Sequence, residues 1–210
     1  MKIKIIAHRG VHYTERENTL PAFKQSLNFD GAEFDVRQTK DGEIVVSHDA
    51  TLVRVFGINA RIKSKNYSEI KMIPLLSEAL KTLKSKFVMV EIKEEGIEEK
   101  VLKEIKKSKS KNVMVISFLE NSLRRIRRMD KKIKTGLIVV VPFKAVGEAL
   151  KLKCNAVCFF HKILPDFMIR KAREEGLEVY VWTVDEKEEF KKFSRQNING
   201  VVSNNPSGLK

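Results

Sequence analysis

The residues best suited to chemistry lie in one stretch between Glu33 and Asp49. Glu33 and Asp35 are two residues apart, so on an extended strand both carboxylates point to the same face. His48 follows a short apolar run and stands beside Asp49. Two carboxylates and an imidazole that converge predict a metal site with an acid/base partner. The alternative is an edge hairpin with solvated acids, because single short motifs often misfire.

A second polar group, His8-Arg9-Gly10, follows the apolar strand Ile3 to Ala7. The carboxyl ends of strands are where α/β enzymes place catalytic groups. Taken alone, His8 is better explained as a structural histidine than as a catalytic one.

A third group closes the apolar strand Phe87 to Lys93. A carboxylate such as Glu91 needs a partner when its strand is buried. Glu91 and Lys93 share a face, so one could hold a metal and the other an anionic oxygen. A salt bridge at the strand exit is the alternative.

The stretch from Glu33 to Asp49 is predicted to fold as two strands joined by a turn. Asp41-Gly42 is a turn signal, and residues 44–46 are an Ile-Val-Val strand signal. Counting outward from the turn, antiparallel pairing would set His48 opposite Glu33, with their Cβ atoms about 5 Å apart.

Strands and helices alternate along the rest of the chain, with further strands predicted at 113–117, 136–141, 156–160, 178–184 and 200–203. This pattern predicts an α/β fold, a closed (β/α)₈ TIM barrel formed by residues 1–210 as a single domain. The sequence offers nine strand candidates, one more than the eight strands of such a barrel. Because residues 37–43 are too few for a parallel crossover, we assign residues 43–48 to a hairpin arm. Residues 50–72 show no period and are predicted to form a short irregular insertion after the second strand and its hairpin.

The net charge of +14 comes mostly from lysine. Such a charge favours nucleic acid, anionic lipid surfaces or phosphate-bearing substrates as partners. The basic segments 103–111 and 119–129 lack the interleaved aromatic residues of a nucleic-acid groove. Solvated helix faces, as in heat-tolerant proteins, are therefore the better account, and no nucleic-acid partner is expected.

Cys154 and Cys158 are predicted to be core thiols in a reducing compartment. Four residues apart on a strand, their Cα atoms would be about 13 Å apart, too far for a disulfide. No secretion signal or membrane-spanning apolar run is recognisable. We therefore predict a cytoplasmic location, and the charge leaves peripheral membrane contact open.

Taken together, the motifs resemble the glycerophosphodiester phosphodiesterase family, in order, over nearly the full chain. The match is most specific before residue 50 and weaker towards the C-terminus. The matching segments are His8-Arg9-Gly10, Glu17-Asn18-Thr19 with Ala22-Phe23, Gly31 to Val36, Thr39 to Gly42, Val45 to Asp49 with Leu52 and Arg54, Ile73-Pro74 with Glu78 to Leu80, Glu91 to Lys93, Ser117-Phe118 and Val181 to Val184.

The resemblance implies a metal-dependent hydrolase that converts glycerophosphodiesters to glycerol 3-phosphate and an alcohol. By position, it implies that Glu33, Asp35 and Glu91 bind one divalent cation, Mg²⁺ or Ca²⁺, with Mn²⁺ as an alternative. It implies that His8 and His48 are the general acid/base pair, without saying which is which. In the family-like mechanism a neighbouring substrate hydroxyl attacks phosphorus, and water then opens the cyclic phosphate.

The resemblance also implies substrate contacts. Arg9 and Lys93 would bind the phosphate, and Glu17 would be a supporting polar residue near His8. Trp182 at a strand end could line a substrate pocket, or it could be a core aromatic at the barrel rim.

The chain departs from the family pattern at several positions. Arg16 stands where proline usually precedes Glu17, and Asp185 replaces a commoner asparagine after Trp-Thr-Val. Residues 203–206, Ser-Asn-Asn-Pro, replace Thr-Asp-x-Pro and lose a carboxylate. The segment between Asp49 and Ile73 is short. These changes leave the metal ligands and histidines intact but leave substrate size and leaving-group preference open.

Two other functions fit the same residues. One is a lysophospholipase D-like activity on lysophospholipids, favoured by the compact insertion and the positive charge. The other is a catalytically silent barrel that binds phosphorylated ligands. The presence of all three proposed metal ligands and both histidines argues against this alternative.

Overall fold

The computed structural model describes residues 2–210 as a barrel of parallel strands surrounded by helices. The strands in this range are β1 (Lys4–His8), β2 (Gly31–Gln38), β3 (Ile44–Val46), β4 (Phe87–Ile92), β5 (Val113–Ser117), β6 (Lys134–Val139), β7 (Ala156–Phe160), β8 (Glu178–Trp182) and β9 (Gly200–Ser203). The helices in this range are α1 (Leu20–Ser26), α2 (Val53–Phe56), α3 (Leu76–Thr82), α4 (Glu98–Ser108), α5 (Glu120–Met129), α6 (Ala145–Lys151), α7 (Asp166–Glu174) and α8 (Lys187–Ser194). Single 3₁₀ turns lie at Ile62–Ser64, Tyr67–Glu69 and His161–Ile163.

The barrel closes because β1 pairs in parallel with both β2 and β9. Between them the sheet runs through β4, β5, β6, β7 and β8, each parallel to its neighbour. Within residues 2–210, this gives eight parallel strands and confirms the predicted TIM barrel. The carboxyl ends of all eight strands therefore meet at one rim, where a (β/α)₈ barrel carries its active site.

Side-chain alternation separates two cores. On β2, Ala32, Phe34 and Val36 face outward and pack with residues of the surrounding helices. The inward-facing positions of other strands, among them Ile6 and Met89, fill the barrel interior. Because strand residues alternate between faces, the odd-numbered residues of β2 point into the barrel.

Strand β3 pairs antiparallel with β2, which confirms the predicted hairpin arm in a shorter form. The predicted pairing of His48 with Glu33 is wrong, because Val46 lies opposite Val36 and the ladder ends there. The loop from Thr39 to Glu43 is centred on Asp41, which shifts the register by one residue. A one-residue shift matters because it exchanges the faces of a strand.

Residues 50–72 are more ordered than predicted. They contain α2 and two of the 3₁₀ turns, and they form a small core of their own around Leu52, Ile62 and Ile70. Val45 of β3 belongs to this core and ties the segment to the hairpin. Apolar residues at irregular spacing can bury themselves without a helical period, which explains why no period is visible in this part of the sequence.

Both cysteines are free and buried, as predicted. Burial raises the pKa of Cys154 to about 11 and also raises the pKa of Cys158. Both are therefore thiols, and Cys158 lies on β7 facing the barrel interior.

Candidate active site

Three buried carboxylates meet at the carboxyl-end rim of the barrel. Glu33 and Asp35 are inward residues of β2, and Glu91 of β4 lies opposite Asp35 in the parallel register. One carboxylate oxygen of each lies within 4.8 Å of those of the other two. The structure thus brings together the three residues predicted as metal ligands.

The cluster is electrostatically costly without a cation. Burial, and then the charges of Asp35 and Glu91, raise the pKa of Glu33 well above its usual value. Burial and the Asp35 charge raise the pKa of Glu91 to about 7, although Lys93 opposes the shift. A divalent cation would favour the ionised form of every carboxylate, and an all-oxygen donor set suits Mg²⁺ or Ca²⁺. The residues therefore fit the implied metal.

Two cationic side chains border the carboxylates. Lys93 Nζ lies 2.8 Å from Glu91 Oε1 and 3.6 Å from Asp35 Oδ1. Arg9 Nε lies 3.5 Å from Asp35 Oδ2, and the Arg9 backbone N–H donates to Glu33 Oε2 at 3.1 Å. Arg9 has a φ of 53°, an uncommon value for a residue with a side chain. This backbone conformation occurs where the chain leaves β1, and it places both the backbone N–H and the guanidinium of Arg9 beside the cluster.

His8 ends β1 next to the cluster. Its Nε2 lies 3.8 Å from Glu33 Oε2, and its Nδ1 is 2.6 Å from Asn204 Oδ1. Burial and the Arg9 charge lower the pKa of His8 to about 4, although Asn204 and Asp35 oppose the shift. The ring is therefore neutral near pH 7 in the metal-free protein.

His48 approaches from the loop after β3. Its Nδ1 donates to Asp49 Oδ1 at 2.7 Å, and its backbone carbonyl accepts from Arg37 Nε at 2.9 Å. Burial alone would raise the pKa of Asp49, but hydrogen bonds from Arg54 and His48 outweigh it and lower the pKa to about 2. An ionised Asp49 fixes the proton on Nδ1, so Nε2 is the nitrogen of His48 that is free for chemistry.

Glu17 connects Arg9 to Arg54. Its Oε1 lies 3.0 Å from Arg9 Nη1, and both of its oxygens accept from Arg54, at 2.7 and 2.8 Å. Arg54 Nε also donates to Asp49 Oδ2 at 2.6 Å. Glu17 therefore contacts Arg9 rather than His8. A continuous chain of ion pairs runs from Arg9 through Glu17 and Arg54 to Asp49, which hydrogen-bonds to His48.

A cavity of about 100 Å³ opens at this cluster. One wall is polar and contains both histidines and two of the carboxylates, whereas the opposite wall is apolar. Trp182 belongs to the apolar wall, where its Nε1 donates to the Cys158 carbonyl at 3.0 Å. Phe118 packs edge-on against Trp182, with ring centroids 5.7 Å apart. Of the two positions considered for Trp182, pocket lining and core aromatic, the structure shows the first.

The sequence prediction gave no role to five residues that surround the predicted site residues. They are Asn18, Asp49, Arg54, Asp185 and Asn204, which hydrogen-bond to the predicted residues or to their partners. Asn18 Nδ2, for example, donates to Asp35 Oδ2 at 3.0 Å. Asp49 was recognisable as the neighbour of His48, but Asn204 is 196 residues from His8 and no local pattern joins them.

The profile of the "Glycerophosphoryl diester phosphodiesterase family" matches residues 8–207. A glycerophosphodiester phosphodiesterase from Caldanaerobacter subterraneus subsp. tengcongensis is 32% identical, over 100% of this chain and 97% of the relative. The family match therefore spans every residue of the cluster.

Two solved structures share the fold of this chain. A glycerophosphodiester phosphodiesterase from Thermotoga maritima is 29% identical, with a TM-score of 0.88 over 98% of this chain and 96% of its own. A phosphodiesterase from Oleispira antarctica, solved in complex with the product sn-glycerol-3-phosphate, has a TM-score of 0.89 at 21% identity over 98% of this chain and 94% of its own. The second likeness supports the fold alone.

Proposed function

Because the chain belongs to the glycerophosphoryl diester phosphodiesterase family, we propose that it hydrolyses glycerophosphodiesters to glycerol 3-phosphate and an alcohol by metal-dependent, two-histidine catalysis. The observation that carries this proposal is that both histidines and two members of a cluster of three buried carboxylates line one cavity at the carboxyl-end rim. In this proposal residues 1–210 act as one catalytic domain.

Glu33, Asp35 and Glu91 would hold the cation, with Mg²⁺ or Ca²⁺ preferred and Mn²⁺ as an alternative. A bound divalent cation supplies positive charge beside the phosphoryl oxygens. Arg9 and Lys93 border the same carboxylates and would contact the phosphate. Their charges would offset the negative charge that grows on the phosphoryl oxygens as the bond to the leaving alcohol breaks.

His8 and His48 would share the proton transfers. Each ring is hydrogen-bonded through Nδ1, which leaves Nε2 for the substrate. One histidine takes the proton from a neighbouring glycerol hydroxyl as that oxygen attacks phosphorus, and the other protonates the departing alcohol. Water then opens the cyclic phosphate by the reverse proton transfers.

Single substitutions test the assigned roles. We expect His48→Ala and Glu91→Ala each to abolish hydrolysis of glycerophosphocholine with little loss of folding. Matched controls are His161→Ala, whose ring pairs with Glu189, and Glu178→Gln at the opposite end of the barrel. Wild-type rates in both site variants would overturn the assignment.

The cyclic route has a separate test. A phosphodiester that lacks the neighbouring hydroxyl has no internal nucleophile and should be inert. The measurement is product release from the matched pair of diesters with and without that hydroxyl. Rapid cleavage of the second diester would rule out the cyclic phosphate.

A second substrate class is favoured by the apolar wall of the cavity. Phe118 belongs to that wall and is 43% exposed, and Phe143, at the rim after β6, is 65% exposed. An acyl chain could lie along such a surface, as a lysophospholipase D-like activity would require. Turnover of glycerophosphocholine should exceed that of a lysophospholipid if the substrate is a small diester. A strong preference for the lipid, reduced by Phe143→Ser but not by Leu150→Ser at the other end of α6, would favour the second class.

A further inference from the structure

We infer that Asp185 and Asn204 form a positioning pair that fixes the tautomer and the orientation of His8. The inference rests on the proposed catalytic role of His8. Asp185 follows β8, Asn204 follows β9 and His8 ends β1, so the three residues lie on consecutive strands where the barrel closes.

Asp185 accepts three hydrogen bonds from two neighbouring residues. Its Oδ1 accepts from Ser203 Oγ at 3.1 Å and from the Asn204 backbone N–H at 2.6 Å. Its Oδ2 accepts from Asn204 Nδ2 at 2.8 Å. The backbone contact and the side-chain contact together hold both ends of Asn204, so the side-chain amide cannot rotate freely.

The chemistry of the contacts determines which way the amide faces. An ionised carboxylate only accepts hydrogen bonds, so the Asn204 atom that faces Asp185 must be the nitrogen. The amide oxygen then faces His8 Nδ1 at 2.6 Å. Because a carbonyl oxygen also only accepts, His8 Nδ1 must carry the proton and Nε2 must present its lone pair to the site.

The pair also accounts for two departures from the family pattern. Relative to that pattern, residue 204 lacks a carboxylate and residue 185 gains one. In the structure these two side chains hydrogen-bond to each other, so the carboxylate stands on the other member of the same pair rather than being lost. The exchange predicts that the two positions can be swapped together but not separately.

Each single substitution should break the network differently. In Asp185→Asn, an amide nitrogen can face Asn204 Nδ2, which would favour rotation of Asn204 and a donor facing His8 Nδ1. In Asn204→Asp, two acceptor-only carboxylates would face each other. In the double variant, the amide introduced at position 185 donates to the carboxylate introduced at position 204, and that carboxylate still accepts from His8 Nδ1.

The experiment compares the wild type, D185N, N204D and D185N/N204D with saturating Mg²⁺ and glycerophosphocholine. We expect each single variant to lose about 10- to 100-fold in kcat with a smaller change in KM, as for other residues that orient a site group. The double variant should recover to within about fivefold of the wild type, since coupled residues are not additive. Asn205→Asp adds the same charge at the exposed neighbouring residue, and it should retain the wild-type rate.

A second readout does not depend on turnover. The ¹⁵N shifts of the His8 ring at pH 7.5 should report the Nδ1–H tautomer in the wild type and the double variant, and a mixture in D185N. If N204D does not fold, Asn204→Ala removes the acceptor without adding charge and takes its place.

The outcomes separate the two proposals. Wild-type rates in both single variants would overturn the positioning pair, and so would a double variant as slow as the slower single variant. If His8→Ala is inactive in the same assay, the proposed function still stands. A fully active His8→Ala would instead overturn the catalytic role of His8. An unchanged His8 tautomer in D185N would also contradict the positioning pair.

Discussion

At the residue scale, the two histidines are held by different partners. His8 Nδ1 faces the neutral amide of Asn204, whereas His48 Nδ1 faces the carboxylate of Asp49. A carboxylate stabilises an imidazolium more than an amide does. The environments of the two rings are therefore unequal, as a division of labour between a proton acceptor and a proton donor requires.

The Asp49 carboxylate should matter for rate more than for binding. In Asp49→Asn the side chain keeps its shape, but its amide can turn either its oxygen or its nitrogen towards His48. We expect kcat to fall about 10- to 100-fold with a smaller change in KM, as for other residues that orient a site group. The control is Asp166→Asn on α7, and steady-state kinetics on glycerophosphocholine are the measurement. An undiminished kcat in D49N would show that His48 needs no such partner.

The raised pKa values of Glu33 and Glu91 predict how pH affects the metal-free protein. The pKa of Glu91 is about 7 in the folded state, against a usual value of 4.5. Between these values the folded state binds more protons than the unfolded state, so stability falls as pH rises through about 7. Metal binding must release those protons, so cation affinity should rise with pH over the same interval.

Thermal melting checks this expectation. With chelator, Tm should fall between about pH 6.5 and 8, since below that range the lowered pKa of His8 changes stability in the opposite direction. Saturating Mg²⁺ or Ca²⁺ should raise Tm more at pH 8 than at pH 6. Glu91→Gln removes one titrating carboxylate, so its metal-free Tm should depend less on pH. Parallel Tm profiles for the wild type with and without metal would contradict the prediction.

At the scale of elements, β2 has two functions. Its even-numbered residues pack against the helices, and its odd-numbered residues carry two of the three carboxylates. The packing of one face therefore sets the position of the other. Phe34 is fully buried and contacts Phe23, with ring centroids 5.2 Å apart.

Phe34→Ala should be one of the more destabilising single changes. Removing a buried phenylalanine leaves a cavity, and the expected loss in the free energy of unfolding is about 3–5 kcal/mol. The control Phe143→Ala removes an exposed ring and should change that free energy by less than about 0.5 kcal/mol. Urea unfolding at equilibrium is the measurement, and equal midpoints for the two variants would contradict this account of β2.

The sequence predicted the parts of the site that depend on local pattern. Spacing alone placed Glu33 and Asp35 on one face, and the short connection alone assigned residues 43–48 to a hairpin arm. The register of that hairpin depends on the hydrogen bonding of a five-residue loop, from Thr39 to Glu43, and was missed by one residue. The contact between His8 and Asn204 arises only when the barrel closes, so no local pattern could predict it.

At the scale of the whole molecule, the candidate site lies at the carboxyl-end rim of the barrel, whereas the amino-end rim is rich in lysine. A second cavity, of about 870 Å³, lies at the amino ends of the strands and is lined by six lysines. It has none of the site histidines. The expected absence of a nucleic-acid partner and the cytoplasmic location stay predictions. Among residues 2–210, no helix is both long and apolar enough to cross a bilayer.

The metal dependence of glycerol 3-phosphate release is the most direct test of the proposed function. The wild-type enzyme is assayed on a panel of phosphodiesters with chelator and after addition of Mg²⁺, Ca²⁺ or Mn²⁺. We expect no release from glycerophosphodiesters with chelator and full recovery with at least one of these cations. Release that continues at the same rate in chelator would contradict the role given to the three carboxylates.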